Sequence, residues 1–325
     1  MSDRLSVSSV PWMNRTKRRA KRWIVSLVRA AFLIGISFMI IYPLLTKLSL
    51  SFMEQVDLYD RTVQAIPKHF TWTNYPEAFY YMKYGQSFLN SVMICGISGI
   101  AQAFACVMTG YGFARFDFKG KKIAFAMVLV MMVVPPQLIT TPLYLNFQNF
   151  DPLGLISMFN NGKGLRLIES LWPFLLLSLT STGPRCGLYI FFARQFFRGF
   201  PKVIDEAATI DGASHRRVFV SIMLPAAFSI MVTIFLLSFV WLWNDTMYAF
   251  MFYSKVPTVA KSLMNLQGDL FSSVHTYMSS TASDIGYFSI LKATGVLLAI
   301  APLMILYACV QKVFIQSIEN TGIVG

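Results

Sequence analysis

Residues 206–225 read EAATIDGASHRRVFVSIMLP. Glu206 precedes two small residues, Ala207 and Ala208. Gly212 follows after three more positions, and Ile222, Leu224 and Pro225 follow nine further on. None of these side chains is a nucleophile, and none is a base oriented by a third group. Their chemistry is docking. A carboxylate offers a charge to a cationic partner, small side chains at Ala207, Ala208 and Ala213 admit a close surface, and Gly212, after Asp211, lets the backbone turn. Pro201 is placed to open a short helix, with Asp205 and Glu206 early in it and favourable to its dipole, and Gly212 is placed to close it.

Other chemistries lack their residues. No G-x-x-x-x-G-K-[ST] loop occurs, so the chain does not bind ATP by that route. There is no H-E-x-x-H, no G-x-S-x-G and no clustered carboxylate pair, which argues against an enzyme. Cys95, Cys106, Cys186 and Cys309 each sit inside an apolar run without a CxxC pair and read as packing residues. His69, His215 and His275 are too far apart to suggest a metal set, so no metal is expected.

The elements carrying the 206–225 stretch belong in a bilayer. Of the 325 residues, 55% are hydrophobic, above the roughly 45–50% of soluble domains, and the mean hydropathy is +0.56. The formal net charge is +13. The basic residues recur in short clusters between long apolar runs, the pattern of cytoplasmic loops rather than of a nucleic-acid surface.

A helix crossing the hydrocarbon core needs about 20 mostly apolar residues. Six stretches qualify: 24–52, 87–114, 123–147, 171–192, 218–250 and 287–314. The cluster Arg15, Lys17, Arg18, Arg19, Lys21 and Arg22 places the N-terminus in the cytoplasm, and six spans return the C-terminus there. Inner segments then hold the Lys/Arg clusters at 115–122 and 194–217. Outer segments hold only Arg61, Lys68, Lys83, Lys163, Arg166, Lys255 and Lys261. The fold class is an all-α integral membrane protein with six transmembrane helices. A basic cytoplasmic segment, 1–23, leads into one transmembrane domain, 24–325. The Arg18-Arg19 pair is not a twin-arginine signal, because the apolar run after it is too long and lacks an A-x-A site. Residues 1–14 are polar and without periodicity, a composition expected to be disordered.

Pro135-Pro136 and Pro142 interrupt the third span, and Gly183-Pro184 and Gly187 the fourth. Lipid tolerates such breaks only where neighbouring helices or a water-filled path satisfy the freed backbone groups. They suit a transport path, or kinks made for packing alone.

The pattern EAA, three residues, Gly, nine residues, Ile-x-Leu-Pro resembles the signature of membrane subunits of binding-protein-dependent ABC importers, and every position is filled. The resemblance implies the type I ABC importer permease architecture in a bacterial inner membrane. It makes 194–217 a coupling loop docked into a cleft on an ATPase subunit. The runs IPKHFTWTNY at 66–75, Asn90-Ser91, YGFARFDFKGKK at 111–122, VVPPQ at 133–137 and RQFFRGFPKVIDEAATIDGAS from Arg194 are similar to the carbohydrate-uptake branch, specifically its maltose-type second permease. So is Trp243-Asn244-Asp245, and the likeness covers 66–325.

The implied partners are a second permease, two ATP-binding cassette subunits, a periplasmic sugar-binding protein and the bilayer, with no nucleic acid. No cofactor is expected in this chain, since ATP and Mg belong to the ATPase. The outer loop 251–286 corresponds to the family's loop that reaches into the binding protein. The tail 317–325, with Thr321, Gly322 and Gly325, resembles the tail that lies against the ATPases, although Val324 stands where the family often has lysine. Segment 151–170 departs by being longer and more basic, either an outer element against the partner permease or a solvated linker.

Charged residues inside spans are functional hypotheses. Arg185, Asp245, Lys292 and Lys47 are of this kind. The last three fall toward the outer side, where they either line a vestibule, with Asp245 pairing a lysine, or snorkel to the interface. Trp241, Trp243 and Tyr248, with Asn244, are candidate path residues because sugars stack on aromatic rings; interfacial anchoring is the other reading. If Arg185 and Lys292 face the path, a negatively charged saccharide such as alginate becomes an attractive cargo. Rival functions are a permease for peptides, polyamines or anions, a gradient-driven transporter, for which midplane acidic residues are lacking, and a membrane scaffold.

Overall fold

The computed structural model describes residues 13–63, 66–277 and 285–322. These residues are helical, without a strand; two isolated bridges, Met53 with Phe70 and Phe150 with Leu165, close loops. Contacts divide the chain into two compact units, Met1–Trp72 and Thr73–Gly325.

In the first unit α1, Met13–Ser51, runs unbroken through Pro43, and its part Arg22–Ser51 is long and apolar enough to cross a membrane. After it the chain folds back on Asp57. This buried carboxylate accepts the backbone N–H groups of Lys68 and His69, both at 2.9 Å, and lies 2.7 Å from His69 Nδ1. Burial pushes the Asp57 carboxyl up, but these donors, His69 first, hold it below its ordinary value, while Asp57 raises the imidazole.

The second unit contains α2 (Asn74–Tyr81), α3 (Tyr84–Arg115), α4 (Lys121–Val133), α5 (Thr140–Gln148), α6 (Leu155–Phe159), α7 (Trp172–Leu179) and α8 (Cys186–Gly199). It continues through α9 (Lys202–Ile210), α10 (His215–Val218), α11 (Leu224–Ala226), α12 (Phe228–Trp243), α13 (Met247–Phe252), α14 (Val259–Tyr277) and α15 (Ile285–Gly322). Tyr84–Arg115 and Gly286–Lys312 are continuous candidate spans. The expected third span is bent by 103° between α4 and the Pro136–Gln148 segment. The fifth is bent by 69° between His215–Ala226 and Phe228–Trp243. Length and composition thus give three to five spans among the described residues.

The fourth stretch, 171–192, is two helices, α7 and α8, parted at the Gly183-Pro184 interruption that the sequence shows. Pro184 has no N–H and disfavours helix at Gly183. The chain closes on itself instead, with the N–H groups of Thr182 and Gly183 both bonded to Leu177 O at 3.0 and 2.9 Å. Ser181 and Arg185 take left-handed φ of 56° and 60°, and α8 begins at Cys186. Within the segment 251–286, 19 residues form α14. Side chains of α3 fasten the start of this helix: Ser91 Oγ accepts Val259 N–H, Asn90 donates to Pro257 O, and Ser87 bonds Ser262. Hydropathy alone reads so polar a helix as loop.

The main core lies between α3, α8 and α12, where Cys106, Val107, Tyr189, Ala193, Ile230 and Ile234 are buried together. Small residues let the helices approach. A Cβ on Gly110 would stand 2.5 Å from Ala193 Cβ and 2.8 Å from Arg194 N. A second core packs α15 on α3 and α12. Pro302 lacks the N–H that would bond Leu298 O in α15, and Tyr84 Oη donates to that carbonyl at 2.8 Å. Trp243 Nε1 donates to the neighbouring Ala299 O at 3.0 Å.

Gly110→Ala should therefore destabilise the purified protein by on the order of 1–3 kcal/mol in thermal unfolding, the cost of overpacking. Gly112→Ala, with nothing within 4 Å of its Cβ, should be neutral or slightly stabilising. Equal effects would contradict the close crossing of α3 and α8.

Candidate functional site

Pro201 is the N-cap of α9, and the helix ends in a glycine turn. Gly212 has φ 80°, Ala213 N–H reaches back to Ala208 O and Gly212 N–H to Thr209 O, each at 3.0 Å. Ser214 caps α10 through Arg217 N–H. A π-helical turn at Phe219–Met223 and Pro225 then lead into α12.

The three small residues divide. Ala207 is exposed with Glu206, Val203 and Ile210, so α9 presents an apolar face with one acid. Ala208 and Ala213 are half-buried and pack on the chain's own core, as do Ile222 and Leu224. Asp211 and Gly212 are exposed at the turn.

Asp205 turns inward. Its Oδ2 lies 2.9 Å from Arg115 Nε, and the Arg115 side chain is only 6% exposed. Arg115 also donates to Phe200 O at 2.9 Å, so the last residue of α3 grips both the entry to α9 and its first turn. Between them lies a cavity of about 570 Å³ whose lining includes Tyr111, Phe116, Glu206 and His215.

A second cavity, of about 470 Å³, opens at the breaks of α4 and α7–α8. Its lining brings together Arg185, Trp241, Asp245 and Tyr248 with Gln102, Gln137, Tyr189 and Ser238. The Arg185 guanidinium carbon sits 3.3 Å from the centroid of the Trp241 ring. Asp245 Oδ2 accepts Tyr248 N–H at 2.8 Å, capping α13, and forms no ion pair with a lysine among the described residues. Gln102 is fully used. Its Nε2 donates to Pro184 O at 2.8 Å and to Cys186 Sγ at 2.9 Å, and its Oε1 accepts from Ser238 Oγ.

Three sequence candidates lie elsewhere. Trp243 is 3% exposed and packs between Phe88 and Phe239, its indole spent on α15. Asn244 is exposed and bonds Val240 O. Lys292 is exposed on α15, its Nζ 5.5 Å from the Phe288 ring centroid. Thr321 and Gly322 end α15, and Gly325 lies outside the described residues. Gln102 and Tyr189 were missed, although a glutamine in the middle of an apolar span is itself a signal of function or of a structural hydrogen-bond hub.

Bent and broken helices around a cavity that mixes apolar with charged and polar side chains, joined to an exposed short helix, suit a membrane transport component. The chain belongs to the family of binding-protein-dependent transport system inner membrane components, whose pattern matches residues 104–320. It is 28% identical over 290 residues to the diacetylchitobiose uptake system permease protein NgcG of Streptomyces coelicolor, covering 89% of this chain and 86% of that one. It is 27% identical over 311 residues to the galactooligosaccharides transport system permease protein GanQ of Bacillus subtilis, covering 94% and 98%. The fold matches a chain in the crystal structure of a bacterial ABC transporter involved in the import of the acidic polysaccharide alginate. There the TM-score is 0.67 at 19% identity, over 90% of this chain and 97% of the other.

Removing one partner of a buried ion pair strands the other. Arg115→Ala should thus loosen α9 and raise tryptic cleavage at Lys202 by on the order of tenfold, with Asp205→Ala matching it and the double swap Arg115→Asp/Asp205→Arg recovering protection. Unchanged cleavage in both single variants would contradict the anchoring role.

Proposed function

We propose that this chain is one membrane-spanning subunit of an ATP-driven importer of sugars or oligosaccharides, forming half of the translocation path. The family assignment, together with the filled 206–225 motif on an exposed short helix, carries this reading. The names of the relatives, uptake permeases for diacetylchitobiose and galactooligosaccharides, favour a saccharide over a peptide, polyamine or anion.

In this reading the chain crosses a bacterial inner membrane six times with both termini in the cytoplasm. The crossings are α1, α3, the bent α4–α5 pair, the broken α7–α8 pair, the α10–α12 segment and α15. Helix α9 seats its exposed face of Val203, Glu206, Ala207 and Ile210 in a cleft of an ATPase subunit, which supplies ATP and Mg²⁺. A second permease completes the path, and a periplasmic binding protein delivers the sugar to the side of α14. Motion of the ATPase reaches the core by two routes, through Arg115 into α3 and through Gly212 and α10 into α12. Arg185, Trp241, Asp245 and Tyr248 line the path on this chain's side. The tail 317–325 lies against the ATPases.

Glu206→Lys reverses the one charge on the docking face, and like-charge contact at an interface costs several kcal/mol. It and Ala207→Leu should each lower saccharide uptake by about tenfold or more while the subunit stays inserted and the ATPases keep hydrolysing ATP. Variants that insert and still transport at the wild-type rate would refute the coupling role of α9.

A further inference from the structure

The cavity at the break between α7 and α8 holds hydrogen-bond donors that the fold leaves without acceptors. Arg185 carries five N–H donors, yet among the described residues its side chain makes no hydrogen bond or ion pair and only stacks on Trp241. One helical turn on, at i+4, Tyr189 lines the same cavity. It is 1% exposed, and its hydroxyl is buried without a partner. The two stand at the N-terminal end of the 14-residue α8, whose dipole adds positive potential there. Of the acceptors in the lining, Gln102 Oε1 is engaged by Ser238 and Asp245 Oδ2 by the start of α13, and Asp245 forms no ion pair with Arg185 among the described residues. Arg185 is also held at φ 60°, a conformation costly for a side-chain-bearing residue and frequent where geometry serves a site.

A buried hydroxyl without a partner beside an exposed guanidinium that has no ion partner among the described residues suits a ligand rich in acceptors and negative in charge. We infer that Arg185, Tyr189 and the N-terminus of α8 form a carboxylate subsite in this chain, and that the cargo is a saccharide bearing uronic-acid groups. The guanidinium takes the carboxylate as a fork, its other face held by Trp241, and Tyr189 donates to a carboxylate or ring oxygen. The inference rests on the sugar-importer reading and narrows it to acidic sugars. It draws on Arg185 but not on Lys292, which lies outside this cavity.

The test uses the assembled complex, with both permeases, the ATPases and the binding protein, in proteoliposomes. Uptake of neutral disaccharides is compared with that of uronic-acid disaccharides of the same linkage. Uronate uptake is expected in the wild type. It should fall roughly tenfold or more in Arg185→Gln, the scale of a lost charged hydrogen bond, fall less in Tyr189→Phe, and recover in part in Arg185→Lys. Uptake of neutral sugars alone, or equal loss of neutral and acidic uptake in Arg185→Gln, would overturn the subsite while leaving a sugar importer. Uptake of no saccharide at all would overturn that underlying reading. A second measurement is independent of the binding protein's selectivity. With Cys309→Ser removing the exposed thiol, Met131→Cys on the cavity wall should react faster with an anionic than with a cationic methanethiosulfonate of like size. Arg185→Gln should cut that ratio several-fold; an unchanged ratio would count against the subsite.

Discussion

The architecture of the second unit depends on how one buried amide settles the cost of a broken helix. In a bilayer the carbonyls released by a break find no water and need protein donors. Gln102, in the middle of α3, donates to Pro184 O at the break and to Cys186 Sγ at the start of α8, and accepts from Ser238 on α12. A single side chain therefore ties three helices at one level. It makes the turn at 180–185 affordable, and that turn brings Arg185 and the N-terminus of α8 to the cavity wall.

The same three helices run toward α9. The close crossing at Gly110 and Ala193 holds α3 against α8, and Arg115, at the end of α3, holds Asp205. A displacement of α9 has few soft elements to be lost in: an ion pair with a buried guanidinium at one end, and a glycine turn followed by a capped helix at the other. Close packing transmits such displacements instead of absorbing them. The breaks at Pro135-Pro136, Gly183-Pro184 and Ala227 are where the helices can yield, and the first two border the cavity.

Much of this was legible in the sequence, and its failures have physical causes. Pro201 and Gly212 bounded α9 because proline and glycine act locally, through φ and a missing Cβ. The spans of α1, α3 and α15 followed from length and hydropathy. Gly183-Pro184 marked the break in 171–192 as well, but hydropathy counts apolar side chains and is silent on how the chain turns there, through left-handed Ser181 and Arg185. Trp243 and Trp241 are two positions apart and look equivalent in the sequence; the turn of α12 sends one to α15 and the other to Arg185. Ala208 and Ala213 were read as facing a partner because small size suits either a partner or the chain's own core. Lys292 resembled Arg185 only in its charge.

The central claim is that this chain passes a saccharide by means of work done on it by a separate ATPase. Its most direct test is uptake into proteoliposomes carrying the whole complex, with ATP inside, in parallel with a complex whose ATPases bind ATP but do not hydrolyse it. Saccharide accumulation that stops with the inactive ATPases, and is indifferent to imposed proton or sodium gradients, is the predicted result. Accumulation that persists with inactive ATPases and follows an ion gradient would contradict it.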